Sequence, residues 1–80
     1  MTREEIVEKL TVIFREVFVE SELVINDNMT ADDVDRWDSL SHMLMVTKVE
    51  EEFGIKFKLK DLNKMKNVGD LISLVESKLA

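Results

Sequence analysis

The chain has 80 residues, 45% of them hydrophobic and 35% charged, with a formal net charge of −6. That length makes one small domain, 1–80, around one modest core, and the absence of Cys excludes disulfide staples, a thiolate nucleophile and cysteine-bound zinc. The acidic balance argues against nucleic acid as a partner, no apolar run is long enough to span a bilayer, and the charge from Arg3 onward argues against a signal peptide, so a cytoplasmic protein is expected.

In chain order, Thr2-Arg3-Glu4-Glu5 reads as a capping box, with Thr2 as N-cap and Glu5 reaching back. Ile6, Leu10, Ile13, Phe14 and Val17 follow at three- and four-residue spacing, the stripe of an amphipathic helix running to about Val19. From Glu20 to Trp37 the periodicity breaks, and Ser21, Asn26, Asp27, Asn28 and Thr30 are turn and cap residues. Leu23, Ile25, Met29 and Val34 can pin this long loop to the core, and Thr30-Ala31-Asp32-Asp33 can start one helical turn. Asp27, Asp33 and Asp35 lack the central Gly and the spacing of a calcium loop, so no metal site is expected.

A second helix is expected from Ser39 to about Phe53, with Asp38 as its N-cap and Gly54 as a left-handed stop. At about 100° per residue, Met45, Val46, Val49 and Phe53 share one side and should face the core. Leu40, Met43, Leu44, Thr47 and Glu51 share the other side. Full burial of both sides is hard to arrange in so small a domain, so Leu40, Met43 and Leu44 are read as a docking face. Ile55 to Leu59 alternates apolar and polar, yet has no second strand to pair with, and is read as an extended connector with Ile55 and Phe57 inward. A short third helix should cover Lys60 to Met65, with Leu62 and Met65 inward. Asn67 should cap a last helix with Asp70 in the capping-box position and Val68, Leu71, Ile72, Leu74, Val75 and Leu79 as its apolar face. The expected fold is all-α, a four-helix bundle with a short third helix and a long loop between helices one and two.

The chemistry centres on Asp38 and Ser39. Taken alone, they are a helix cap and a first-turn serine. The first turn of a helix carries unpaired N–H groups and the positive end of the macrodipole, which suits a phosphate ester. A hydrolase serine would need a base and usually a Gly-x-Ser-x-Gly elbow; with one His and no elbow, the chain is not expected to be an enzyme. Asp38-Ser39-Leu40, followed by a helix closing in Glu50-Glu51-Glu52-Phe53-Gly54-Ile55, resembles the acyl carrier proteins. The resemblance extends to length, acidity, the long first loop and the later Val68-Gly69-Asp70.

That resemblance implies a 4′-phosphopantetheine arm on Ser39, placed there from coenzyme A by a phosphopantetheinyl transferase. The arm's thiol would hold acyl intermediates as thioesters and present them to acyl-loading and acyl-transferring enzymes. It further implies that Asp38 caps the helix and contributes to the transferase's recognition surface, and that Leu40, Met43, Leu44, Thr47, Glu50 and Glu51 lie on the partner-facing second helix, with Glu52 completing its acidic end. A monomer is expected. His42, one turn beyond Ser39, is a candidate phosphate neighbour that would favour the phosphodiester's charge if protonated.

Against the fatty-acid members, this chain has Ser41 where Asp usually follows Asp-Ser-Leu, Leu44 where the docking face often has Glu, and Trp37 two residues before the serine. Lys56, Lys58, Lys60, Lys64 and Lys66 make the third-helix region basic. These departures suggest a specialised carrier for a secondary metabolite, a modified lipid or saccharide, or an aminoacyl group. An aminoacyl or peptidyl carrier stays open as an alternative, as does a small helical interaction module without a prosthetic group.

Overall fold

The computed structural model describes residues 2–34 and 36–79. Four α-helices follow one another: α1 Arg3–Val17, α2 Ser39–Phe53, α3 Leu59–Lys64 and α4 Val68–Leu79, with a single 3-10 turn at Ala31–Asp33 in the first loop. This is the expected all-α bundle with a short third helix. Asp35, weighed as a calcium ligand, lies outside the described residues; no cluster of three or more metal-ligating side chains occurs among the rest. No helix among the described residues is long and apolar enough to cross a membrane.

α1 starts as its sequence dictates. Thr2 accepts from the Glu5 N–H at 3.2 Å, and Glu5 accepts from the Thr2 N–H at 3.1 Å. That reciprocal pair holds the Glu5 carboxyl below its ordinary range. The helix ends at Val17, two residues before the expected limit. Phe18 is the C-cap, Val19 takes a left-handed φ of 53°, and the Glu20 N–H donates back to Arg15 O at 3.1 Å. The turn drives Phe18 into the interior, where it is fully buried. Phe18 falls outside the helical stripe, so spacing does not assign it to the core.

The core draws Ile6, Leu10, Ile13 and Phe14 from α1, Met45, Val46, Val49 and Phe53 from α2, and Val68, Leu71, Ile72 and Val75 from α4. α1 packs against both α2 and α4. Phe18, Ile25, Met29 and Val34 add the loop's contribution, and Leu23 packs half-buried beside them. Two corrections concern the ends of elements. Leu74 is only half-buried and Leu79 is exposed, so the apolar face of α4 is narrower than its sequence suggests. α3 runs one residue earlier than expected and buries nothing completely; Leu62 and Met65 only lean on the core.

The long loop is held by more than its apolar anchors. The Val68 N–H donates to Met29 O and the Gly69 N–H to Asp27 O, both at 2.9 Å. Loop carbonyls thereby satisfy donors that the start of α4 leaves unpaired. A Cβ on Gly69 would stand 2.9 Å from Asp27 O, so only glycine permits this approach. Asn67 caps α4 through its side-chain oxygen on the Asp70 N–H at 2.8 Å. Asp70 reaches one residue farther back than a capping box would, accepting from the Lys66 N–H at 2.9 Å. This stitching fixes Ala31 opposite the start of α2.

α3 is held by charge more than by burial. Asp61 accepts from the Lys58 N–H and pairs with Lys78, each at 2.9 Å, and the two contacts keep its carboxyl below the ordinary range. The Lys78 ammonium also sits 5.9 Å above the Phe57 ring.

Candidate functional site

Asp38 begins α2 in an extended conformation and accepts the Ser41 N–H at 2.9 Å; Ser41 Oγ accepts the Asp38 N–H at 2.9 Å in return. The serine at position 41 thus completes the capping box in place of a longer acidic side chain. Its own hydroxyl proton goes to Arg36 O at 2.7 Å, tying the box to the incoming loop. The Ser41 N–H, donating to the Asp38 carboxylate, holds it below its ordinary range. With the capping work done by Asp38 and Ser41, Ser39 is left as the first helical residue with an exposed side chain. Its hydroxyl takes no part in a side-chain hydrogen bond among the described residues.

Trp37 lines the same groove as Ser39. Its ring stands edge-on to Phe14 with centroids 5.5 Å apart, and 5.2 Å from Phe18. On its other side it stacks on His42, with centroids 5.9 Å apart and planes 17° from parallel. The indole N–H donates to His42 Nδ1 at 3.0 Å. Nδ1 must therefore be an acceptor, which places the proton of the neutral ring on Nε2. Burial lowers the pKa of His42 from its ordinary value of 6.5. His42 lines the same groove as Ser39, and both its burial and its bond to Trp37 favour the neutral ring.

Ala31, Trp37, Asp38, Ser39, His42 and Met43 line an open groove of about 480 Å³. The resemblance to the acyl carrier proteins pointed to Ser39 and Asp38, and spacing along the helix added His42. Neither gave a role to Ala31, which arrives from the far end of a loop, and Trp37 was noted only as a departure. An aromatic immediately before a helix cap was the available signal.

The rest of α2 separates as its periodicity implies. Met45 and Val49 are fully buried, whereas Leu40 is 82% exposed, Met43 50% and Leu44 49%. Thr47 is exposed and donates its hydroxyl proton back to Met43 O at 3.0 Å. The acidic end of the helix is divided. Glu50 turns in to accept the Phe57 N–H at 2.8 Å, Glu52 pairs with Lys9 at 3.0 Å, and Glu51 is exposed. The Glu50 carboxylate anchors the connector after Gly54. Lys56, Lys58, Lys60, Lys64 and Lys66 are all exposed, as a solvated face would be.

Residues 8–75 match the family described as the phosphopantetheine attachment site. An acyl carrier protein of Thermotoga maritima is 37% identical over 98% of this chain and 96% of its own length. The meromycolate extension acyl carrier protein of Mycolicibacterium smegmatis is 33% identical over 94% of this chain and 76% of its own length. Among solved structures, a holo acyl carrier protein from Geobacter metallireducens superposes with a TM-score of 0.87 at 48% identity, covering 91% of this chain and 84% of that one.

Proposed function

The chain belongs to the acyl carrier proteins, the family built on a phosphopantetheine attachment site, and from that premise we propose that Ser39 is its attachment residue. The observation that carries this reading is the exposed hydroxyl at the first position of α2, which makes no side-chain hydrogen bond among the described residues because Asp38 and Ser41 complete the cap between them. The residues fit the group. A phosphodiester on Ser39 would sit at the positive end of a 15-residue helix. The adjoining groove offers an indole, a thioether and an imidazole to a flexible arm. When bound, the arm supplies the thiol that this cysteine-free chain lacks, and with it the thioester that holds acyl cargo.

The family carries acyl groups and leaves the chemistry to partner enzymes. Within it we read this chain as a specialised carrier working among cytoplasmic enzymes. The support is the apolar docking face of Leu40, Met43 and Leu44, with Thr47 and Glu51 farther along the exposed side of α2, and the basic surface around α3. Asp38, ionised and held in the cap, presents its remaining edge where a transferase must approach Ser39.

The test is intact mass after incubation with coenzyme A, magnesium and a broad-specificity phosphopantetheinyl transferase. The parent should gain one phosphopantetheine and Ser39→Ala none, with the circular dichroism of the two indistinguishable. Modification of the Ser39→Ala variant would move the site elsewhere. A parent that starts without the arm and stays unmodified, while a control carrier is modified, would overturn the Ser39 reading.

A further inference from the structure

We propose that Trp37 and His42 form a wall that keeps cargo tethered at Ser39 out of the helical core, so that this carrier holds short acyl groups in the outer groove. The inference rests on Ser39 being the attachment residue and concerns what the attached arm can carry. A chain tethered at Ser39 has two ways to leave water. It can lie along the groove of about 480 Å³ bounded by Ala31, Trp37, His42 and Met43, or it can enter the bundle. The second way is barred by residues already in place.

Trp37 is fixed from three directions, by Phe14, by Phe18 and by the stacked, hydrogen-bonded His42. Phe14 and Phe18 are themselves fully buried, as are Met45 and Val49. An alkyl chain moving inward must therefore displace a packed aromatic rather than fill a void. The pocket next to the groove holds only about 80 Å³ and reaches toward Met65, Lys66 and Asn67. Ala31, Trp37 and His42 line both spaces, so they are the partition between them. The open groove leaves much of a long chain in water, and each methylene left there forgoes the gain that burial would bring. Trp37 is thus a residue that sets cargo length, acting by excluded volume.

The experiment loads Ser39 with hydrolysis-resistant, amide-linked pantetheine arms bearing acetyl, butyryl or octanoyl groups, each verified by intact mass. Thermal midpoints are then compared, together with the indole N–H resonance of Trp37, which is the only tryptophan and needs no assignment. Burying the additional methylenes of octanoyl would raise the midpoint of so small a domain by well over about 4 °C. We expect the parent's midpoints to agree within about 3 °C across the series, with the indole resonance in one place. In Trp37→Ala we expect octanoyl to raise the midpoint above that of acetyl by more than this margin. If Trp37→Ala does not fold, Trp37→Leu serves, and the parent series decides by itself. A parent stabilised by octanoyl beyond about 3 °C overturns the proposal, whichever cavity receives the chain. Failure to load any arm would count against the Ser39 assignment instead, and the mass spectrum separates the two failures.

Discussion

α1 and α2 have 15 residues each, and they begin and end by the same devices. Each opens with a reciprocal capping box, Thr2 with Glu5 and Asp38 with Ser41. Each closes on a residue with positive φ, Val19 at 53° and Gly54 at 64°, whose successor donates back five residues to Arg15 O or Glu50 O. They part company on their outer faces. Beyond its buried stripe, α1 shows mainly charge to water: Glu4, Glu5, Glu8 and Glu16 are exposed. α2 buries Met45, Val46, Val49 and Phe53 and then exposes Leu40, Met43 and Leu44 on the opposite side. Apolar area on the outside contributes nothing to folding, since it meets water in both states. What differs between the helices is thus where their surplus apolar residues lie: α2 keeps Leu40, Met43 and Leu44 in water.

The inner faces should respond most strongly. Phe14→Ala removes a fully buried ring that also supports Trp37, and a loss of about 3–5 kcal/mol is expected in urea unfolding. A loss below about 1 kcal/mol would mean that the site relaxes and that the aromatic column is not a unit.

The helix ends come next, with opposite signs. Gly54→Val meets no neighbour within 4 Å of the new Cβ, so its cost is backbone strain alone, about 1–2 kcal/mol. Val19→Gly relieves the same strain at a 69%-exposed side chain, and a gain of about 0.5–1 kcal/mol should remain after the added flexibility of the unfolded chain. Chemical denaturation of both variants checks the pair. Equal signs would show that the two closures are not equivalent.

A smaller effect separates His42 from the capping carboxylates by pH. His42 has a folded pKa lowered by burial, so the unfolded state binds its proton first. The neutral-ring contribution is fully present above pH 6.5 and is lost as pH falls through the lower folded value. Stability measured from pH 7.5 downward should fall through that window in the parent and not in His42→Gln. The capping carboxylates Asp38 and Asp61 respond only at more acid pH, because their folded values lie below 3.8. A parent profile that matches His42→Gln would remove the partition's coupling to His42.

The smallest effect belongs to the outer face. Leu44→Glu should change stability by no more than about 0.5 kcal/mol, although it replaces a large apolar residue by a charge. A buried leucine would lose several times that amount. The urea midpoint of this variant therefore tests directly whether Leu44 belongs to the surface.

Much of this was legible in the sequence because it depends on local rules. Thr2 and Asp38 announce helix starts, Gly54 announces a stop, and spacing alone assigns Met45, Val46, Val49 and Phe53 to the interior. Asp38-Ser39-Leu40 marks the site through its resemblance to the acyl carrier motif; local rules alone read it as a cap and a first-turn serine. Phe18 was missed because it is buried by a turn, which has no period to detect. The bond from the Phe57 N–H to Glu50 was not legible, because helical position fixes the side on which a carboxylate leaves the helix but not the distant N–H it finds.

By itself, then, the sequence determined four helices, their caps, the inner and outer sides of α2 and the serine at its start. Only the tertiary structure decided what surrounds that serine. Ala31 comes to it because the loop carbonyls of Asp27 and Met29 bind the start of α4. Trp37 closes the core beside it because Phe14 and Phe18 arrive from a helix some twenty residues away in sequence. His42 is held neutral because that same tryptophan occupies its nitrogen. Contacts between residues far apart in the chain leave no periodicity in the sequence, and they are what shape the space into which Ser39 opens.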